Sequence, residues 1–151
     1  MRHERLGDII DFIRGVTFTP QDIVDAHSNG SVVCLRTKNI QEQLELHDLI
    51  AIPKKFVRRE EQYIIADDLL ISSANSFELV GKTVFVPHLD FSAAVGGFIS
   101  IVRPKKNKIF PRYLFHWINT PFIQNKIRYC GRKTTNISNL NKELFLDLEI
   151  K

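Results

Sequence analysis

Residues 69–87 read LLISSANSFELVGKTVFVP. The second half nearly spells a nucleotide-binding loop, G-x-x-x-x-G-K-[ST], with Gly81, Lys82 and Thr83 in place and Ser76 where the first glycine belongs. Such a loop works because its glycines let backbone N–H groups curl around phosphates at the start of a helix. Here Lys82 is followed by Thr-Val-Phe-Val-Pro. β-Branched and aromatic residues ending in proline favour a strand, so no helix dipole is on offer. Ser76 also lacks the freedom of glycine at positive φ. The stretch therefore reads as strand, polar loop, strand, and ATP or GTP binding is not expected. Ser72, Ser73, Asn75 and Ser76 crowd short donors and acceptors into that loop. They suit contacts to phosphates or base edges, and equally suit a turn's own backbone.

Working outward, strand patterns follow one another without long helices between them. SVVCL (31–35) is β-branched and apolar before the chain turns polar at Arg36, and LIAIP (49–53) stops at Pro53. ADDLLISSA (66–74) suits a buried strand reaching the surface, with Asp68 in the turn that enters it. After Gly96-Gly97 a further strand runs to Pro104. The opening LGDIIDFIRGVTF is a short turn or helix leading into a strand interrupted by Gly15, and Ser28-Asn29-Gly30 is a turn signal. The character then changes. Pro111 and Pro121 each suit the first position of a helix, the second with Thr120 as N-cap and Gly131 as its stop. Leu114, Trp117 and Ile118 make one helical stripe, and Ile123, Ile127 and Cys130 another. Ser138 reads as the N-cap of a last short helix before a final strand. The fold class expected is α+β: a single domain over 1–151 with a curled, mostly antiparallel or mixed sheet, and short helices in the C-terminal third.

The charge is polarised. Between Phe91 and Lys142 there is no Asp or Glu, yet there are ten basic residues, while the remainder carries 11 basic and 17 acidic ones. Such a chain presents a positive face to polyanions. Catalytic patterns are lacking. The five histidines show no paired spacing, no G-x-S-x-G elbow occurs, and Asp67 and Asp68 would point to opposite faces of a strand. No glycine-rich methyl-donor motif is present. No cofactor and no metal are expected. Cys34 and Cys130 read as reduced small hydrophobes. No apolar run suggests a membrane span and no signal peptide is evident, so the cytoplasm is the expected compartment.

Four pieces in order, LGDIIDFIRG, VVCLRTKNI, DDLLISSANSFELVGKTVFV and GRKTTNISNLNKELFLDLEI, together resemble a target recognition domain of the type I restriction–modification specificity subunit. Arg36, Asn39 and Ile40 match its second motif, Asp68 to Ser72 and Val80-Gly81-Lys82 its third, and Thr135, Ile137 and Leu140 its last. The resemblance runs from about Leu6 to Ile150. It implies a non-catalytic reader of one half of a bipartite double-stranded DNA target. Methylation and cleavage would belong to partner modification and restriction subunits, and no membrane or small-molecule partner is implied. Full family members carry two such domains, each followed by a long spacer helix. That helix would begin after Lys151, so the chain is expected to be one domain of a longer protein or a truncated product.

The candidate base-reading residues are Arg36, Lys38, Asn39, Ser73, Asn75, Ser76, Thr134 and Asn136. The candidate phosphate contacts are Lys82, Lys105, Lys106, Lys108, Lys126, Arg128, Arg132 and Lys133. Tyr129, beside the basic cluster, is a stacking candidate. These choices rest on charge and loop position. Two other classes fit the same features: a protein-docking module whose basic face meets an acidic partner, and the recognition part of a fused DNA methyltransferase or nuclease.

Overall fold

The strand Leu69–Ser72 lies at the centre of the molecule, and each of its residues is buried. The computed structural model describes residues 3–129, 132–133 and 137–151, residues 132 and 133 through their backbone only. In chain order the elements are β1 (Glu4–Arg5), α1 (Leu6–Ile9), β2 (Ile10–Arg14), β3 (Ser31–Leu35), β4 (Ile50–Pro53), β5 (Leu69–Ser72), β6 (Ala74–Asn75), β7 (Thr83–Phe85), β8 (Ala93–Val95) and β9 (Ile99–Pro104). They continue with α2 (Pro111–Ile118), α3 (Pro121–Tyr129), β10 (Arg132–Lys133), β11 (Ser138–Asn139), α4 (Lys142–Leu146) and β12 (Glu149–Ile150). Single 3₁₀ turns occupy Pro20–Asp22, Thr37–Asn39, Lys54–Phe56 and Glu60–Gln62.

Four strands form an antiparallel sheet in the order β2-β9-β5-β7. Successive side chains of a strand point to opposite faces. Leu69 and Ile71 accordingly enter a cluster with Leu114, Ile118, Ile123 and Ile127 from the helices. Leu70 enters a second cluster with Val33, Leu35, Ala93 and Val95. The second cluster belongs to a three-stranded sheet, β4-β3-β8, in which β3 pairs β4 antiparallel and β8 parallel. The far face of that sheet carries Val32, Cys34, Ile52 and Ala94. The architecture is α+β, in layers of helices, sheet and sheet. Burial pushes the Cys34 thiol up to about 12, so it remains a neutral thiol.

Most expected elements form. The helix at Pro111 buries Leu114 and Ile118, and Trp117 packs partly against them. Thr120 Oγ1 accepts from the Ile123 N–H at 3.4 Å, as an N-cap does. Cys130 and Gly131 lie outside the described residues. Two readings need correction. Ser138 is not an N-cap: it is buried in β11, paired with Asn75 and with Lys133. The cap of the last helix is Asn141, whose side chain accepts from the Leu144 N–H at 3.1 Å. The segment before Gly96-Gly97 is itself a strand, β8, made by pairing with β3 rather than by the weak strand preference of Ala-Ala-Val.

Arg103 reads in the sequence as one of the surface cations, and the structure gives it a partner inside the fold. Its Nε and a terminal nitrogen hold both carboxylate oxygens of Asp68 at 2.8 and 2.9 Å. The same guanidinium donates to the carbonyls of Tyr63 at 2.9 Å and Glu61 at 3.2 Å. Asp68 in turn accepts from the Ile65 N–H at 2.8 Å, and its side chain is 1% exposed. One ion pair thus ties the end of β9 to the loop that enters β5. Truncating one member leaves a buried charge alone. Arg103→Ala is expected to lower stability by about 3–5 kcal/mol. Arg103→Lys should recover only part of it, because an ammonium cannot span both oxygens and both carbonyls. Urea unfolding of the two variants checks the order.

Candidate nucleic-acid interface

Both faces of the central sheet are covered, so its polar groups emerge at the strand ends. At one end β5 finishes at Ser72, β9 begins at Ile99, β2 finishes at Arg14 and β7 begins at Thr83. The parallel pair β3 and β8 finishes there as well, at Leu35 and Val95, and Val16 bridges to Gly96 beside them. The chain passes closely at this point. A Cβ on Gly15 would lie 2.0 Å from the Gly96 carbonyl oxygen, so only glycine fits.

The expected serine-rich loop opens from this end, and its polar groups are partly used among themselves. Asn75 Nδ2 donates to Ser72 Oγ at 3.1 Å, and Asn75 Oδ1 accepts from the Ser76 N–H at 2.8 Å. Ser100 Oγ donates to Ser73 Oγ at 3.1 Å. Ser73, Asn75 and Ser76 remain partly exposed, whereas Ser72 is buried. The carbonyl of Ser76 accepts the N–H groups of Leu79 and Val80, which closes a turn. Gly81 then sits at φ 89°, packed beneath Ile127 of α3, and Thr83 is a strand residue with its hydroxyl donating to the Gly81 carbonyl. The near-P-loop is a turn between two strands.

Arg36, Lys38 and Asn39 divide into two roles. Arg36 and Lys38 both meet Asp48: Arg36 through its guanidinium at 3.6 Å, Lys38 through its ammonium. The hydrogen bond and charge of Lys38, with Arg36 adding, hold the Asp48 carboxyl below the usual carboxylate range. The Arg36 Nε is buried and has no hydrogen-bond partner among the described residues. Asn39, by contrast, is 1% exposed. Its Oδ1 accepts from the Arg36 N–H at 2.8 Å, and its Nδ2 donates to the carbonyls of Glu45 and Asp48 at 2.8 and 3.2 Å. Its amide is consumed by the fold and faces no partner outside.

Lys82 belongs to the same end, its Nζ donating to Gln41 Oε1 at 3.0 Å. Arg128 lies 5.9 Å from the centre of the Phe77 ring, and that ring meets Tyr129 edge-on at 5.3 Å, so the end of α3 sits beside the 76–80 turn. Lys126 lies over the exposed Phe122 ring at 4.7 Å. The backbone of Arg132 and Lys133 forms β10 in the small sheet β10-β11-β6, which puts it two strands from Asn75. Thr134 and Asn136 lie outside the described residues.

Lys105, Lys106 and Lys108 are elsewhere. They follow the opposite end of β9, around a cleft of about 590 Å³ shared with Asp67, Asp68 and Arg103. A six-residue strand such as β9 spans about 17 Å. The cations expected to act together are therefore split between two ends of the sheet. The end where β5 finishes also contains residues that sequence reasoning did not single out. Arg14, Asn139 and Lys142 line a groove of about 180 Å³ with Ser73 and Ser100. Arg14 was legible as the outward residue of an alternating strand, next to the inward Ile13.

The known proteins that this chain is similar to are of one kind. No family model matches the chain. It is 30% identical over 142 residues to the type I restriction enzyme EcoKI specificity subunit of Escherichia coli K12, covering 93% of this chain and 30% of that protein. It is 31% identical over 142 residues to the StySPI specificity subunit of Salmonella potsdam, with the same coverage. Its homologues are type I restriction enzyme specificity subunits. The specificity (HsdS) subunit of Thermoanaerobacter tengcongensis superposes with a TM-score of 0.65 at 13% identity, over 98% of this chain and 32% of that one, which shows a shared fold. The chain spans about 30% of the length of the specificity subunits it matches. Within that family resemblance, the R-x-x-N motif has a local physical meaning: Asn39 clamps the turn that carries Arg36. Asn39→Ala removes the side-chain partner of the part-buried Arg36 N–H and Glu45 carbonyl, and should lower stability by about 1–3 kcal/mol, read by urea unfolding.

Proposed function

We propose that the chain is a single DNA target-recognition domain of a type I restriction–modification specificity subunit. It reads one half of a bipartite double-stranded target in the cytoplasm and performs no chemistry itself. The observation that carries this reading is the convergence, at one end of a buried sheet, of Arg14, Arg36, Lys38, Lys82 and Lys142 with the partly exposed Ser73, Asn75, Ser76 and Asn139. Cations fix register on phosphates, and short amides, hydroxyls and guanidinium groups read base edges. The homology to specificity subunits supports it, and modification and restriction subunits are then its partners in the assembly. Among the described residues no helix is long and apolar enough to cross a membrane.

The loop of Lys105, Lys106 and Lys108 favours a second role. It lies beside Phe110, 83% exposed, and Ile65, 54% exposed, a cationic and apolar surface suited to docking protein rather than reading bases.

Selection from a randomised duplex library, at low and then near-physiological salt, tests the main reading. Enrichment of one motif of about three to five base pairs is expected, that being the reach of a few bidentate side chains. Binding without enrichment would reduce the surface to an electrostatic patch. The salt dependence then locates the interface. Replacing Arg14, Lys82 and Lys142 by Ala should flatten the slope of log K against log salt by about 0.9 for each phosphate left without its cation. Replacing Lys105, Lys106 and Lys108 should leave that slope within about one unit of the parent. The reverse result would move the interface to the other end of the sheet.

A further inference from the structure

The turn between β8 and β9 carries Phe98 at its tip, 60% exposed, at the same end of the sheet. A lone exposed phenylalanine needs no explanation. This one differs in what surrounds it and what holds it. On one side is a groove of about 540 Å³ lined by Phe18, Arg36 and Thr37. On the other is the groove of Arg14, Ser73, Asn139 and Lys142, and Gly97 lines both. The ring thus stands between an apolar groove edged by Arg36 and a polar one that carries Arg14 and Lys142.

The backbone beneath the ring is pinned from three directions. The Phe98 carbonyl accepts the N–H groups of Ser73 at 2.9 Å and Ala74 at 3.2 Å. Gly96 N–H donates to the Leu35 carbonyl at 2.9 Å, and Ile99 N–H back to the Gly96 carbonyl at 3.0 Å. On the β2 side, Val16 N–H donates to the Val95 carbonyl at 2.8 Å and Gly15 N–H to the Ile99 carbonyl at 3.2 Å. The exposure of the ring is therefore built in, and does not come from a loosely held loop.

We propose that Phe98 is a wedge that enters a base step of the bound duplex and partly unstacks it. The proposal rests on the DNA-reading function argued above and adds to it a means of indirect readout. An apolar side chain inserted between base pairs must be held rigidly, because the unstacking it causes opposes entry. It also needs cations on either side to keep the backbone of the kinked duplex close. The clamped turn supplies the first requirement. Arg14 on one side and Arg36 on the other supply the second. Steps that unstack easily, pyrimidine–purine steps above all, would then be preferred at the contacted position without any hydrogen bond to their edges.

The test uses the 1–151 chain and the duplex it selects, with 2-aminopurine placed in turn at each position of the motif. The parent protein should raise the fluorescence at one step. Phe98→Leu should retain that rise, since any apolar wedge unstacks. Phe98→Ala should abolish it and weaken binding to the selected duplex by about 10–100-fold, with binding to random duplex changed less than about threefold. Thermal unfolding of the alanine variant should match the parent, the ring being exposed. A fluorescence rise that survives Phe98→Ala, or unchanged affinity of that variant for the selected duplex, overturns the wedge and leaves the DNA-reading function standing. Failure of the parent chain to enrich any motif overturns that function, and the wedge with it.

Discussion

Burial of the central sheet on both faces governs where everything else in this molecule can be. Leu69 and Ile71 face the helices while Leu70 faces the second sheet, so β5 has no solvent side on which a functional group could stand. Polar chemistry is pushed to the strand ends, and the two ends use it differently. At the end where β5 begins, Asp68 and Arg103 spend their charges on each other and on the carbonyls of the preceding loop. At the end where β5 finishes, hydroxyls, amides and cations are left at the surface. The buried pair closes the fold, with Lys105, Lys106 and Lys108 left at the surface beyond it.

This division explains what the sequence could disclose. Strands whose apolar residues are consecutive or alternate, such as 69–72 and 83–85, were legible because burial imposes the pattern directly. The false P-loop was legible for the same reason, since Thr83 to Val86 cannot open a helix without exposing its apolar residues. The strand at Ala93–Val95 was not legible. It exists because β3 offers a parallel edge, and two alanines carry no local signal of that. Ser138 misled for a related reason. Serine suits a cap locally, but long-range pairing with Asn75 claimed it first.

Topology also decides where each candidate side chain lies. Arg103 reads as one more cation in a stretch without carboxylates. Its partner lies 35 residues earlier, across a pair of strands, where no local rule looks. Asn39 sits three residues after Arg36 in what reads as a polar exit from a strand, yet its amide closes the turn and buries itself in doing so. The lysines at 105, 106 and 108 share a charge run with the residues of α3 but not a surface, because β9 carries them to the other end of the sheet before the helices begin. Charge counted along the chain told the sign of the surface, and topology decided its address.

Arg36 shows how the local and the long-range constraints meet. Its backbone is held by Asn39, its guanidinium leans on Asp48, and Lys38 shares the same carboxylate. An exposed ion pair of this kind is weak and screened by solvent, so it does not bar a phosphate or a base edge from displacing it. What it does supply is orientation. A guanidinium reads two acceptors of a guanine only if its plane is already set, and a free arginine surrenders rotamer entropy to set it. With Asp48 on one side and the groove of Phe18 and Phe98 on the other, the choice of direction is made before a ligand arrives. The same carboxylate repels a phosphate that approaches without matching the guanidinium. On the DNA-reading role proposed above, Asp48 would weaken indiscriminate contact more than a fitted one.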